Sequence, residues 1–472
     1  MIRARSQPPD LADSGLAGQV GGWWQDWMRQ VDQILEDDEL VAIVYEALVR
    51  RHPKSRVRGR LGAPAEVVLR MLVLKHMRNW SFEAVEWEVR TNLVYRQFTR
   101  IGAGKVPDAK ALGRQAQSLG PEVLRKIHER VVGIARQKQI VTGRKLRVDT
   151  TVVETNIHYP TDSSLLGDGV RVLTRLMKRV TDVAGSAGTP LRDRSRSMKL
   201  RVVEIARVSR SKTEQGQQRM KDLYGKVLET SGRVARQAQR FVHEIASGIK
   251  RSADFKKQAA LEGMQQELET MLGRVKQVRY QTRARVFRGN THVAGKLASM
   301  FEIATEIIRR GKAKQPTEFG KMIKVQEAEG QIIVDYEVFD QRPADSDLLV
   351  PAITIHQQRL GRVPDLVAGD AAFYSADGEK AAHQMGVKHV SVPNRSTKSE
   401  DRRKLQKTRW FKNGQKWRTG CEGRISVLKR RHGLNRCRYK GDRGMKRWVG
   451  LGVISDNLIN IGRALAVRDD KA

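Results

Sequence analysis

At 472 residues, 39% hydrophobic and 30% charged, the chain is long enough for two or three domains with sizeable cores, and its composition excludes a disordered protein. No apolar run approaches the roughly 18 residues that would span a membrane, and the opening MIRARSQPPDLADSG has no apolar stretch of the secretory kind. Lys and Arg number 89 against 52 acids, a formal charge of +37, which is costly by self-repulsion unless a polyanion relieves it. Nucleic acid is the expected polyanion. Two cysteines, Cys421 and Cys437, lack CxxC or HxxxH spacing, which argues against a disulfide framework or structural zinc and for a reducing cytoplasm.

Residues 1–20, with Pro8-Pro9 and scattered Gly and Ser, read as a flexible tail. Trp23, Trp24, Trp27 and Met28 begin a helical pattern that continues through Ile34, Leu40, Val44 and Leu48. Pro64 opens a helix whose apolar face is Val67, Val68, Met71, Leu72 and Leu74. After a break at Asn79-Trp80-Ser81, Ser81 caps a second helix reaching about Arg90. The pair fits a helix-turn-helix or an ordinary helical hairpin equally well. Pro107-Asp108 and Pro121-Glu122 open two more helices, so residues 21–140 read as an all-helical domain.

Past Gly143 the period changes. Leu146 to Val153 is rich in β-branched residues and reads as a strand carrying Asp149. A carboxylate among valines is costly unless something binds it. From about Asp168 to Arg310 the pattern is helical. Met220, Val227, Val234 and Phe241 recur every seven residues, and Leu261 to Val278 repeat at three- and four-residue steps on the far side of Gly248–Asp254, as in an antiparallel coiled-coil hairpin. Strands return at 321–326 and 331–339, a hairpin about Glu329-Gly330. A helix over 345–360, a short strand 366–370 ending in Asp370, a Ser375-capped helix, a strand at 387–392 and a basic loop 395–407 follow. The last stretch, Trp410 to Lys440, is a basic helix that holds one carboxylate, Glu422. The positive excess is concentrated: residues 171–290 carry +17 and residues 401–450 carry +15.

Three acids thus ask for a common explanation. A mixed sheet in this order sets the ends of the strands bearing Asp149 and Asp370 side by side, and a late helix brings Glu422. Clustered carboxylates suit Mg²⁺, and two ions can serve an in-line phosphoryl transfer. Asp377, Glu379, Glu400, Glu154 and His158 are rival groups nearby in sequence. Asp377 and Glu379 also suit the first turn of their helix on dipole grounds alone. Cys421, beside Glu422, reads as a small buried side chain.

The segments VDTTVVETNIHYPTDSSLL, VAGDAAFYS and WRTGCEGRISVLKRRHGL resemble those of the DDE transposases of bacterial insertion sequences, the ISNCY-type group in particular, over nearly the whole chain. The resemblance implies an α/β fold: an RNase H-like mixed sheet catalytic core over 141–470, interrupted by a large basic helical insertion at about 165–312, behind an N-terminal helical DNA-binding domain. It implies a catalytic and metal-binding triad of Asp149, Asp370 and Glu422, two Mg²⁺ ions for which Mn²⁺ could substitute, and double-stranded DNA, both terminal inverted repeats and target, as partner. Arg418, Glu422 and Lys429 fit a family signature, Tyr-x2-Arg-x3-Glu-x6-Lys, in which Gln415 stands at the Tyr position. Arg418 and Lys429, with Arg430 and Arg431, are the implied DNA contacts. A homodimer or larger synaptic complex in the bacterial cytoplasm, at the nucleoid, completes the expectation. The alternatives are an inactivated transposase that binds DNA without chemistry, and an RNase H-like nuclease that cuts without joining.

Overall fold

The computed structural model describes residues 1–6, 20, 22–50, 53–57, 61–211, 213–309 and 316–469. They form two compact units. One joins Met1–Asn156 to Ile308–Ala472, and the other is Ile157–Ile307.

The first unit opens with helices α1 (Asp26–Ile34) and α2 (Asp38–Val49). The single helical pattern expected here is broken at Asp37, whose carboxylate accepts from the Leu40 backbone N–H and starts a new helix. Helix α3 (Ala65–Met77) is buried on every side, Arg70, Lys75 and His76 included. Its Arg70 is held by Asp32 at 2.5 Å and Glu66 at 3.2 Å. Ser81 caps α4 (Phe82–Thr91), followed by α5 (Leu93–Phe98), α6 (Ala109–Ser118, capped by Asp108) and α7 (Pro121–Gln137). Of the segment expected as a flexible tail, residues 7–19 lie outside the described residues. Met1–Ser6 are anchored: Met1, Arg3 and Ala4 carbonyls accept from Gly62, Ala65 and Glu66.

Strand β1 (Lys145–Thr155) follows, and the chain leaves this unit after Asn156. The second unit holds α8 (Asp162–Ala184), α9 (Ser195–Val208), α10 (Glu214–Ala246) and α11 (Phe255–Arg288) around a core of its own, from Leu165 to Met300. Helix α8 starts six residues before the expected Asp168, because Thr161 and Ser164 form a reciprocal cap. After the α11 C-cap, Gly289 in the left-handed region, residues 290–305 are irregular where helix was expected.

Strand β2 (Glu306–Arg309) leads to β3 (Thr317–Glu327), β4 (Ile333–Val338), α12 (Leu349–Leu360), β5 (Leu366–Ala368), α13 (Ala376–Gln384) and β6 (His389–Ser391). The expected basic loop at 395–407 contains α14 (Glu400–Lys407), started by the Ser399 hydroxyl. Helices α15 (Arg409–Arg431) and α16 (Gly441–Asp469) flank the two-residue strand β7 (Arg436–Cys437).

Among the described residues a seven-stranded mixed sheet runs β2-β3-β1-β5-β6, with β4 also on β3 and β7 on the far end of β1. Strand β1 is antiparallel to β3 (Thr150 opposite Lys324) and parallel to β5 (Leu146 opposite Val367, Arg147 opposite Ala368). The helices expected to stand as a separate domain over 21–140 share one apolar core with this sheet. Leu72, Val131, Val148, Val367 and Leu458 belong to a single buried cluster. Helix α16 is the reason: it packs against α1, α3, α7 and β4, and is buried on most sides from Trp448 to Ile461. Its Asn457 side chain both donates to and accepts from the Ile333 backbone at 2.8 Å, satisfying the free edge of β4 inside the core. No described helix is long and apolar enough to cross a membrane.

Candidate active site

The candidate site lies where α15 crosses the middle of β1 and the carboxyl ends of β5 and β6, so that Asp149 stands within its strand and not at the strand end expected for it. Two glycines let the helix come close. A Cβ on Gly414 would sit 2.6 Å from the Ser391 side chain, and one on Gly420 would overlap the Arg147 guanidinium. Gln415 ties the helix to the sheet. Its amide nitrogen donates to the carbonyls of Gly369 at 3.2 Å and Ser391 at 2.5 Å, at the ends of β5 and β6. Ser391 in turn donates to the Phe411 carbonyl at 2.9 Å.

Arg147 anchors the middle of the helix. It donates to the Trp417 carbonyl at 2.5 Å, stacks on the Trp417 ring, and holds Glu327 of β3 through two hydrogen bonds at 2.9 and 2.5 Å. Burial pushes the Glu327 carboxyl above its ordinary value, while Arg147 and Arg424 pull the other way. Close beyond Glu422, Arg424 pairs with Asp456 of α16 at 2.9 Å, and His432 lies 3.4 Å from the same carboxylate. These buried, mutually paired charges fix the pose of α15 on the sheet.

Asp149 and Arg147, two apart on β1, share a sheet face, and α15 covers it. Asp149 is buried, with one oxygen accepting from the Thr150 N–H at 2.8 Å. Arg418 reaches it from α15, Nη1 standing 3.7 Å from Asp149 Oδ2, while Nη2 donates to Glu422 at 2.8 Å. One guanidinium therefore bridges two of the three predicted acids. Its Nε is buried without a hydrogen-bond partner, an unused donor at the site. Glu422 itself is 56% exposed. Asp370 lies two residues past the Arg147–Ala368 register pair, as Asp149 does on β1. It is half-buried and accepts from the Ala372 N–H at 2.9 Å, capping a short turn. The structure thus joins Asp149 to Glu422 through Arg418 and sets Asp370 at the end of the neighbouring strand. Among the described residues, no three His, Cys, Asp or Glu side chains are gathered closely enough to enclose a metal ion. The donor chemistry nonetheless fits a hard divalent cation: carboxylates within β1, just past the end of β5 and on the covering helix, the first and last of them bridged by a cationic guanidinium.

Lys429 is half-buried and Arg430 and Arg431 are at the last turn of α15, with Arg431 exposed. The rival groups are otherwise engaged. Glu379 is held by Arg402 at 2.5 Å, Glu154 stands 3.6 Å from Arg436, and His158 lies 3.3 Å from Ser164 and 3.7 Å from Asp168. Asp377 and Glu400 sit in first turns of their helices. Cys421 is fully buried, and burial pushes its thiol well up. The residues that sequence reasoning missed are Arg147, Glu327, Arg424 and Asp456. The signal was present for Arg147, an ionic residue between Leu146 and Val148 on the same strand face as Asp149.

Two segments of the chain match family models. Residues 25–118, which span α1 to α6, match a transposase domain (DUF772), and residues 378–461, which include Arg418, Glu422 and Lys429, match a transposase DDE domain. No curated protein and no solved structure matches.

Proposed function

The chain belongs to the DDE transposases of insertion sequences, and from that premise we propose that it cuts DNA at the ends of its element and joins the freed ends to target DNA. The observation that carries the reading is Arg418, held between Asp149 and Glu422 beside the strand end that bears Asp370. The strand order β4-β3-β1-β5-β6, antiparallel on one side of β1 and parallel on the other, supports an RNase H-like core.

In the first step a water oxygen forms a bond to the phosphorus at the element end, and the bond to the 3′-oxygen breaks, leaving a 3′-hydroxyl. In the second step that hydroxyl attacks a target phosphodiester, exchanging one diester for another with no outside energy source. Asp149, Asp370 and Glu422 would hold divalent cations, Mg²⁺ by their hard oxygen chemistry, which when bound supply Lewis-acid activation of the attacking oxygen and charge stabilisation at the leaving one. Arg418 keeps Glu422 directed toward Asp149 and sets its positive charge beside the position a phosphate would take. Lys429, Arg430 and Arg431 extend the positive face of α15 along the DNA. Gln415 occupies the signature's Tyr position and gives that position a structural task, docking α15 onto the ends of β5 and β6.

The test is cleavage of a linear duplex carrying the element ends, in Mg²⁺, followed by strand transfer. Asp149→Asn and Glu422→Gln should each lower cleavage by roughly 10³-fold or more while leaving DNA binding in place. Full cleavage by either folded variant would sink the assignment, and cutting without any joined product would favour a nuclease.

A further inference from the structure

In the second unit, α10 and α11 pack side by side. Gly225 and Gly232 of α10, two turns apart, leave a groove of about 530 Å³ along the pair. Arg236 of α10 and Arg279, Arg283 and Arg288 of α11 line it. A Cβ on Gly232 would lie 2.7 Å from Arg279 Nη2, so the glycine is what lets that guanidinium lie across α10.

Several cations elsewhere in this unit stand against acids. Arg233 meets Glu229, Arg285 meets Asp162 and Lys178 meets Asp193, at 2.5 to 2.7 Å. The groove is different. Among the described residues none of its four guanidinium groups has an anionic or hydrogen-bond partner, and the acid on its wall, Glu229, is taken by Arg233. Arg279 Nε is buried and unpartnered. Burial, then the charges of Arg283 and Arg236, hold the Arg279 guanidinium below its ordinary value. Exposed Phe287, one turn past Arg283, closes the wall. Like charges crowded together without counter-charge are costly, and planar guanidinium forks match phosphodiester oxygens. Four of them spread along a groove, rather than gathered on one point, suit a polyanion.

We propose that this groove is a backbone clamp for duplex DNA, carried wholly by the second unit. The choice of DNA rests on the transposase reading above. Contacts of this kind neutralise phosphates and carry no base sequence. The experiment titrates the full chain with a fluorescent duplex across a salt series. Arg236→Gln/Arg279→Gln/Arg283→Gln should lower the log–log salt slope by about 2 to 3, near 0.9 for each phosphate that is no longer neutralised. The drop should be the same for an element-end duplex and an unrelated one. Gly232→Leu, which fills the groove and displaces Arg279 without changing net charge, should lower the slope in the same direction. Arg233→Gln, a paired arginine on the same helix, sets the baseline for general charge loss. A folded triple variant with a wild-type slope overturns the proposal. So does a slope that Gly232→Leu leaves untouched, or a loss confined to the element-end sequence. Cleavage is scored separately with Glu422→Gln. If that variant still cuts, the catalytic reading fails while the slopes continue to judge the groove; if the slopes hold at wild type, the groove fails alone.

Discussion

Two clusters of arginine in this molecule behave in opposite ways. Under α15, Arg147 and Arg424 are buried, and each has its own carboxylate, Glu327 or Asp456, at salt-bridge distance. Between α10 and α11, four arginines line an open groove with no such partner among the described residues. The first cluster is architecture: its charge is already neutralised, and its work is to hold a helix at one height above a sheet. The second is unfinished without a ligand. Net charge alone does not distinguish them, since both regions are strongly basic in sequence. Partner geometry does.

Arg418 is the intermediate case, paired with Asp149 and Glu422 yet keeping a free donor. The sharpest test of the first region concerns its least connected acid. Asp370→Asn should lower cleavage as severely as loss of Asp149, by roughly 10³-fold or more. Wild-type cleavage by that variant would reduce Asp370 to the turn cap its hydrogen bond to Ala372 already makes it. Next in size, Arg147→Met should destabilise the fold by about 3–5 kcal/mol, because it leaves Glu327 buried without its main counter-charge. Thermal unfolding measures this. The sign of its pH dependence follows from Glu327. An acid whose folded value is raised contributes stability at low pH that is lost as pH rises above its unfolded value, near 4.5. The deficit of Arg147→Met should therefore grow from pH 5 to pH 8, and a deficit independent of pH would mean that Glu327 is not the group left exposed to the change.

Gln415→Ala should cost about 1–3 kcal/mol, since it removes the Gln415 donor from the Gly369 carbonyl and leaves the Ser391 carbonyl only the Gly369 N–H, and should reduce cleavage more than its stability loss explains. Equal loss of both would make Gln415 a packing residue only. At the bottom of the scale, Arg233→Gln removes an exposed i,i+4 pair and should change stability by no more than about 0.5 kcal/mol. A larger effect would blur the line between paired and waiting arginines.

Much of the fold was legible because it is written locally. Ser81, Asp108 and Ser375 announce their helices through a side chain that bonds a backbone N–H two or three residues on. The same chemistry at Asp37, Thr161 and Ser399 is masked in sequence because apolar periodicity or basic composition runs across it. Strands β1, β3 and β4 were visible in the change of period at Gly143 and in the Glu329-Gly330 turn, whereas β2 and β7 lie in stretches read as helix. The three acids were visible one at a time, each as an anomaly in its own stretch. What could not be read was what joins them. Arg147 and Glu327 are 180 positions apart, and their pairing depends on the β1–β3 register. Arg418 reaching Asp149 depends on two glycines that set how near α15 approaches. Such facts belong to the packed state, and no window of sequence contains them.

Helix α16 carries a consequence for how the protein is made. It fills the space between α1, α3, α7 and β4, yet it is synthesised roughly 300 residues after α7 is finished, tens of seconds at ordinary ribosomal speeds. Through that interval the apolar faces of α1 to α7 have no lid, while the second unit, complete by residue 307, can close around its own core. A nascent chain can therefore hold a folded basic helical unit before Glu422 has been translated, and α16, which closes the shared core of the first unit, is the last element to emerge.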